Sequence, residues 1–292
     1  MTHQLFVLIL LSSAIHAWWN FVLKRAGGGI AFVALSKLVE VALGAIPFVL
    51  WSGVSGDLIR RHGFLLAVGG LLTLLSYAFL TLAYRREQMS TVYAISRGGS
   101  LALLPALAWV FRGERMDGLG FAAMGTIILG IALMQVPALT RKALFQALAA
   151  IRNPAAHLAW LAAFTIAGYG LWDALAVRSL PPFFYFYGYT VLVALGLLAF
   201  VLVKPGPRTL GEVWARQRWP AIQVALGNSL SYILFLFALR LGKTAYVNAV
   251  RQLGIPVGAW MGWRFLEEPM GIPKRIGLAA IVGGCLLVSL AR

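Results

Sequence analysis

Five charged residues lie within long apolar stretches of this chain and could carry chemistry. They are Lys37, Glu40, Arg97, Asp173 and Arg251. On membrane-insertion scales a charge at the centre of a bilayer costs roughly 2.5–3.5 kcal/mol, so such a residue needs a structural or functional reason. The five residues therefore predict a polar site inside an apolar bundle.

The two arginines are the strongest binding candidates. Arg97 and Arg251 each lie about seven residues into an apolar segment, which is about 10 Å along a helix. A guanidinium keeps its charge and presents forked donors that suit carboxylate or phosphate oxygens. Two such groups related by an internal repeat would form a central anion site. The alternatives are pairing with Asp173 and Glu40, or extension of the side chains to the membrane surface.

Three residues are candidates for proton coupling: Glu40, Asp173 and His16. Two of them are carboxylates, and histidine titrates near neutrality. Each also has a structural interpretation. Glu40 lies three residues after Lys37, so the two can form an ion pair on one helix face. Asp173 can act as a counter-ion to Arg251, and His16 can be a hydrogen-bonded interior residue.

Uncharged polar and aromatic residues complete the predicted site. Amides inside an apolar segment are costly against lipid, so we expect them to face the interior. Deep aromatic residues can hold the apolar part of a substrate, with ordinary packing as the alternative, and the aromatic run 183–187 is predicted to face lipid or the interface. The predicted substrate-binding residues are Arg97, Arg251, Asn248, Gln252, Asn20, Tyr77, Tyr232 and Trp172.

The composition indicates that membrane helices must position these residues. The 292 residues are 61% hydrophobic and 12% charged, whereas soluble domains are about 45–50% apolar and about 25% charged. This excludes a soluble enzyme of one or two domains. Apolar segments in lipid must be helical, because open strands leave backbone groups unpaired. We predict spans at roughly 4–23, 30–51, 63–83, 90–110, 117–136, 157–177, 182–203, 220–239, 244–264 and 272–291.

Charge and cysteine content exclude several functions. The net charge of +16 is scattered between apolar blocks, as expected for loops near headgroups rather than for a nucleic-acid surface. Cys285 is alone, and the four histidines have no metal-ligand spacing. No phosphate loop, nucleotide fingerprint or nucleophile motif is present. We therefore expect no metal, no cofactor, no enzymatic activity and no nucleic-acid partner.

A long connection divides the chain into two similar halves. Residues 1–136 and 157–292 form the halves, and residues 137–156 form a linker with the pattern of a short basic amphipathic helix. Matching residues recur at an offset of 153–155, as in Ser76-Tyr77 with Ser231-Tyr232, Arg97 with Arg251, and Glu114 with Glu268. Five helices are an odd number, so the second half must cross the membrane upside down. The predicted fold is an all-α integral membrane protein with ten transmembrane helices in two inverted five-helix repeats.

The motifs of the two halves carry a family resemblance. Each half resembles an EamA domain of the drug/metabolite transporter superfamily, through a glutamate that closes the fourth helix and glycines in the fifth. These are Phe111, Glu114, Gly120, Gly125 and Gly130, and then Phe265, Glu268, Gly277 and Gly284. The resemblance implies secondary transport and cytoplasmic termini. The distribution of Lys and Arg among the loops favours the opposite orientation, and both orientations place the termini on one face.

These patterns together predict a transporter in a bacterial-type inner membrane. We expect an exporter of a small anionic or zwitterionic metabolite, such as an amino acid or organic acid. It would work by alternating access around a central cavity, with hinges at Gly98-Gly99 and Gly254-Pro256. The alternative is a flippase for a lipid-linked or lipid-like substrate. The expected partners are the lipid bilayer, the substrate and possible coupling protons, in a monomer or homodimer.

Overall fold

The computed structural model describes residues 2–51, 56–87, 89–153 and 156–291, and within these ranges all regular secondary structure is helical, without strands. Residues 154 and 155 of the predicted linker lie outside the described residues, as do the first and last residues of the chain. The helices are α1 (His3–Arg25), α2 (Ile30–Trp51), α3 (Gly56–Arg86), α4 (Met89–Tyr93), α5 (Ser100–Arg112), α6 (Gly118–Leu133), α7 (Arg141–Arg152), α8 (His157–Ser179), α9 (Pro182–Val203), α10 (Arg208–Leu241), α11 (Thr244–Val250), α12 (Gly254–Leu266) and α13 (Ile272–Leu290).

Eight helical stretches in the described residues are long and apolar enough to cross a membrane, so the chain is a multi-pass integral membrane protein. They correspond to eight of the ten predicted spans. In place of the span predicted at 117–136, α6 is a helix of only 16 residues. The span predicted at 244–264 is divided into α11 and α12 by a 3₁₀ turn, Arg251–Leu253.

Both predicted arginines lie where helical winding changes. Arg97 belongs to a π-helical stretch, Ala94–Gly99, which joins α4 to α5. Arg251 opens the 3₁₀ turn between α11 and α12. Such irregular turns inside helices are common at functional sites, since they redirect side chains away from the regular helical positions.

Glycines allow two helices of the bundle to approach closely. A Cβ atom added at Gly130 of α6 would lie 2.6 Å from the carbonyl oxygen of Gly277 in α13. A Cβ atom added at Gly277 would lie 2.5 Å from the carbonyl oxygen of Gly130. In a membrane, small residues at such positions permit the van der Waals contact that holds helices together. Helices α6 and α13 therefore pack closely against each other.

The predicted amphipathic helix of the linker is present as α7. Thr140 is its N-cap residue, and the Thr140 side-chain oxygen accepts a hydrogen bond from the backbone N–H of Ala143 at 3.2 Å. Leu144, Phe145 and Leu148 are all exposed. An exposed apolar stripe beside Arg141 and Lys142 is the pattern of a helix that lies in the headgroup region.

Candidate functional site

A cavity of about 900 Å³ lies inside the helical bundle. Side chains from both halves of the chain line it. Nine of the eleven predicted site residues are among them, which are Arg97, Arg251, Asn248, Gln252, Asn20, Tyr77, Tyr232, Glu40 and His16. The structure thus brings together residues that lie far apart in the sequence, from His16 to Gln252.

The cavity extends to one face of the bundle. Its lining there includes Lys24 at the end of α1, Gln135 after α6, and Lys274 at the start of α13. Glu268 forms ion pairs with Lys24 and, at 3.8 Å, with Lys274. These residues form the mouth of the cavity.

A hydrogen-bonded cluster holds the opposite ends of the helices together. The two carboxylate oxygens of Glu114 accept hydrogen bonds from the backbone N–H of Thr244 at 2.6 Å and from its hydroxyl at 3.0 Å. The Arg112 side chain contacts the same carboxylate at 2.5 Å and donates to the Ala174 carbonyl. This cluster joins the α5–α6 connection to the start of α11. The sequence marked Glu114 only as part of a family motif, because its partner Thr244 is 130 residues away.

The two arginines lack carboxylate partners. Within the described residues, no Asp or Glu oxygen lies within 4.0 Å of the guanidinium of Arg97 or Arg251. Arg251 instead stacks on aromatic rings, with its Cζ atom 3.8 Å from the ring centroid of Phe235 and 4.9 Å from that of Tyr232. The alternative in which the arginines pair directly with Asp173 and Glu40 is therefore not observed.

Glu40 has its own partners. Its Oε2 atom forms an ion pair with Lys37 Nζ at 2.9 Å, and its Oε1 atom accepts a hydrogen bond from Asn228 Nδ2 at 2.8 Å. Both charged residues are buried. A buried charge must be paired and hydrogen-bonded to be tolerated, and this local ion pair meets that requirement. Glu40 and Lys37 both border the cavity.

Asp173 lies behind the cavity wall rather than in it. Its two oxygens accept hydrogen bonds from the hydroxyls of Tyr185 at 2.7 Å and Tyr232 at 2.5 Å. Only Tyr232 of this group lines the cavity. The sequence placed Tyr185 in an aromatic run facing lipid or the interface, but its side chain is fully buried. That expectation was wrong because this side of α9 packs against other helices.

Trp172 does not line the cavity, in contrast to its predicted position. Its Nε1 atom donates a hydrogen bond to the Leu65 carbonyl at 2.9 Å. Its ring meets Phe64 edge-to-face, with centroids 5.7 Å apart. The side chain faces α3, so its position explains helix packing rather than ligand contact.

The amides of the cavity use their N–H groups within their own helices. Asn20 donates to the carbonyl of His16, Asn248 to that of Thr244, and Gln252 to that of Asn248, at 2.7–3.1 Å. A backbone carbonyl can only accept, so each amide NH₂ group must face the helix. The amide oxygens are left as acceptors for groups that enter the cavity.

A pair of aromatic residues beside these amides is incompletely satisfied. His16 and Trp19 meet edge-to-face at 4.9 Å. In the part of the chain that the structure describes, His16 Nδ1 and Trp19 Nε1 are buried without a hydrogen-bond partner. Buried polar groups without partners are costly. A ligand in the cavity could supply the missing hydrogen bonds.

These features define a membrane protein with a largely apolar chamber that contains a few polar groups and an excess of positive charge. The charges of Lys37 and Glu40 balance each other locally, whereas Arg97 and Arg251 add positive charge to the wall. A chamber of this kind, open at one face of a helical bundle, is typical of proteins that move solutes across membranes.

Comparisons with known proteins identify the family. The model of the EamA-like transporter family matches residues 153–290. The chain is 32% identical over 79 residues to the quaternary ammonium compound-resistance protein QacF of Klebsiella aerogenes, which covers 26% of this chain and 72% of that protein. The chain belongs to the EamA-like transporter family, whose members are transporters rather than enzymes.

Two further relatives match shorter regions. QacE of Escherichia coli, also named for quaternary ammonium compound resistance, is 27% identical over 62 residues, with 21% of this chain and 56% of that protein covered. A putative ethidium bromide resistance protein of Pseudomonas aeruginosa is 30% identical, with 22% and 55% covered. The chain thus spans little more than half the length of these two relatives.

The fold is also found in a solved crystal structure. It superposes with a TM-score of 0.74, covering 99% of this chain and 97% of that chain, at 16% sequence identity. At this identity the similarity concerns the fold alone.

Proposed function

We propose that this protein is a secondary transporter, in the export direction, for a small anionic or zwitterionic metabolite such as an amino acid or organic acid. The observation that carries the proposal is the pair of cavity arginines, neither of which forms an ion pair with a carboxylate among the described residues. A guanidinium in a chamber of low dielectric attracts a carboxylate much more strongly than it would in water. The membrane is proposed to be the inner membrane of a bacterium.

The names of the relatives point to organic cations, which makes the charge of the cavity decisive. An organic cation requires a free carboxylate or open aromatic faces. In this cavity Glu40 is already paired with Lys37, and the face of Tyr232 is occupied by Arg251. Other aromatic side chains, among them Trp19 and Tyr77, also line the cavity, so the charge of the two arginines is the main argument against a cation. A permanent cation would also be repelled by Arg97 and Arg251. We therefore assign the cavity to anionic or zwitterionic solutes.

Alternating access is proposed from the arrangement of the two halves. The helix contacts of the two halves mirror each other. Helix α1 packs on α10, and their counterparts in the other half, α8 and α3, pack on each other in the same way. The remaining pairs, α2–α9 and α6–α13, each consist of two counterparts. This pattern supports inverted repeats at 1–136 and 157–292 with a linker at 137–156. In this proposal α6 and the α11–α12 unit also cross the membrane, which makes ten spans.

Transport assays on proteoliposomes test the substrate class. We expect uptake of labelled amino acids or organic acids that falls at least tenfold in a variant with both Arg97→Gln and Arg251→Gln. The matched control is Arg178→Gln, which removes an exposed arginine at the end of α8. Transport of ethidium or tetraethylammonium that is unaffected by the double change, without any carboxylate transport, would refute the proposal.

Proton coupling is proposed through Glu40, which borders the cavity and is held by Lys37. A proton on Glu40 would break the ion pair and leave Lys37 free to interact with an anionic substrate. We expect Glu40→Gln to abolish uptake driven by a pH gradient and to retain exchange of labelled for unlabelled substrate. Asp173→Asn and His16→Gln serve as comparisons for the other two candidates. Loss of gradient-driven uptake only in one of these would move the role to that residue.

A further inference from the structure

The mouth of the cavity marks one face of the bundle, at which α1 and α6 end and α13 begins. Tyr84 at the end of α3 and Glu268 after α12 also line the cavity. The start of α10 lies at this face too, because Gln217 Nε2 donates a hydrogen bond to the carbonyl of Ala26, which follows α1, at 2.8 Å. Five connections between helices therefore lie at what we call the mouth face.

The far face of the bundle is closed by contacts between its connections. There Glu114 accepts its two hydrogen bonds from Thr244 at the start of α11. A Cβ atom added at Gly242 would lie 2.8 Å from the side chain of Leu5, so α1 begins at this face. Helix α13 begins at the mouth and ends here as well. Both ends of the described chain thus lie opposite the mouth.

Basic residues are unevenly divided between the two faces. The mouth face carries 14 Lys and Arg, in residues 24–29, 84–87, 134–153, 204–219 and 264–275. The far face carries seven, in residues 56–62, 112–118, 178–182 and 240–243. Arg292, which follows α13, makes eight. The same ranges hold four and three acidic residues respectively, so the excess of positive charge at the mouth face remains after pairing.

Two segments of the mouth face combine exposed apolar and basic side chains. In α7 the exposed apolar stripe accompanies Arg141, Lys142 and Arg152, which are also exposed. Residues 208–216, at the start of α10, contain two arginines and the exposed Trp214. Segments of this kind lie in the headgroup layer, and their basic residues are attracted to anionic lipids. The cytoplasmic leaflet carries a negative surface potential from such lipids.

We infer that the mouth of the cavity opens to the cytoplasm and that both ends of the described chain lie on the outer side of the membrane. Lys and Arg in connections shorter than about 60 residues favour the cytoplasmic side, and every connection of the mouth face is within that length. This orientation is opposite to the one that the family resemblance implies.

The inference deepens the proposed function and rests on it for the direction of transport. An exporter takes up its substrate from the cytoplasm. A cavity that is open to the cytoplasm and closed at the far face by Glu114 and Thr244 is therefore the state that admits substrate. Export would require these two hydrogen bonds to break, because they join connections that must separate to open the far face.

Cysteine labelling tests the orientation without knowledge of the substrate. Gly29→Cys places a thiol on the mouth face and Ser179→Cys places one on the far face, and both positions are exposed. An added Cβ at Gly29 meets nothing within 4 Å. The natural Cys285 is fully buried, so the unchanged chain gives the background. The probe is a sulfonated maleimide that does not cross membranes, applied to bacterial spheroplasts before and after lysis.

We expect Ser179→Cys to be labelled in intact spheroplasts and Gly29→Cys to be labelled only after lysis. Labelling of Gly29→Cys alone in intact spheroplasts would overturn the inference. Equal labelling of both variants before lysis would also overturn it, since the chain would then insert in both orientations.

The side from which the cavity is reached is tested with Ala259→Cys, at a cavity-lining position of α12. Inside-out vesicles present the cytoplasmic face to the probe, and spheroplasts present the outer face. We expect labelling to be on the order of tenfold faster in inside-out vesicles, because a minor conformer is populated at about 10% or less. The rates are normalised to those of Gly29→Cys in vesicles and Ser179→Cys in spheroplasts. Faster labelling from the outer face would overturn the inference.

Failure of this inference can be distinguished from failure of the proposed function. The labelling uses no substrate, so the orientation stands even if no carboxylate is transported. If carboxylate transport depends on the two cavity arginines but Gly29→Cys is labelled in intact spheroplasts, the proposed function stands and the orientation fails.

Discussion

Glu114 accepts two hydrogen bonds from Thr244, one from its backbone N–H and one from its hydroxyl, across 130 residues of sequence. The contact joins the connection between α5 and α6 to the beginning of α11. Hydrogen bonds to a charged carboxylate are stronger than those to a neutral acceptor. The contact is therefore a strong link at the face opposite the cavity mouth.

Glu114→Gln should destabilise the protein. The amide keeps at most one of the two bonds from Thr244 and loses the charge interaction with Arg112, which costs about 1–3 kcal/mol. We expect a lower thermal unfolding midpoint in detergent. The matched control is Glu268→Gln, which removes the equivalent glutamate at the mouth, where it pairs with Lys24 and Lys274. A partly exposed pair contributes only about 0–1 kcal/mol, so a loss in the control as large as in Glu114→Gln would contradict the prediction.

Removing one member of the buried ion pair should cost more than removing both. Lys37→Met leaves the Glu40 carboxylate buried without its cation, and breaking such a pair costs about 3–5 kcal/mol. The double variant Lys37→Met with Glu40→Gln keeps an acceptor for Asn228 and carries no buried charge. We expect its unfolding midpoint to be closer to that of the unchanged protein. Equal midpoints for the single and double variants would show that the pair is not coupled.

Alanine at the closest glycine contact should weaken the packing of α6 on α13. Gly130→Ala and Gly277→Ala place a Cβ against a backbone oxygen, which cannot move aside as a side chain would. Overpacking of this kind costs about 1–3 kcal/mol. Gly125→Ala and Gly283→Ala are controls in the same helices, since an added Cβ at either position meets nothing within 4 Å. The measurement is thermal unfolding, and a similar loss in the controls would rule out the packing explanation.

Trp172→Phe should affect stability and leave substrate affinity unchanged. The substitution removes the hydrogen bond to the Leu65 carbonyl, worth about 0.5–1.5 kcal/mol, at a position outside the cavity lining. Trp109→Phe is the control, because that side chain is 60% exposed. The measurements are the unfolding midpoint and the KM for transport. A raised KM with unchanged stability would return Trp172 to the binding residues predicted from the sequence.

Several properties of the candidate site could be predicted because they depend on local sequence. A charge within an apolar segment is visible without a structure, and the cost of exposing it to lipid indicates that it faces the interior. This reasoning placed Arg97, Arg251 and Glu40 at the cavity. It did not distinguish Trp172 from Tyr232, because both are deep aromatic residues and only the rotation of α8 and α10 determines which one reaches the cavity.

Two of the ten predicted spans stay predictions, because the helices there are short or irregular. Residues 117–136 and 244–264 have the composition of spans, but α6 has 16 residues and the second stretch is interrupted at Arg251. Hydropathy measures average composition over a window and is insensitive to a change of winding at one residue. The π-helical turn at Arg97 was not predicted for the same reason.

The amino-acid sequence alone determined that the chain dissolves in a membrane and that its few interior charges lie at one site, and it predicted that its two halves are related. These properties depend on length, composition and spacing, because the cost of placing a polar group in lipid is set by each segment of the sequence separately. Only the tertiary structure decided the partners of each charge: Glu40 with Asn228, 188 residues away, and Asp173 with Tyr232 rather than directly with an arginine. Such contacts depend on how helices rotate and pack against one another, and a side chain's choice among several nearby partners is made only when the bundle is assembled.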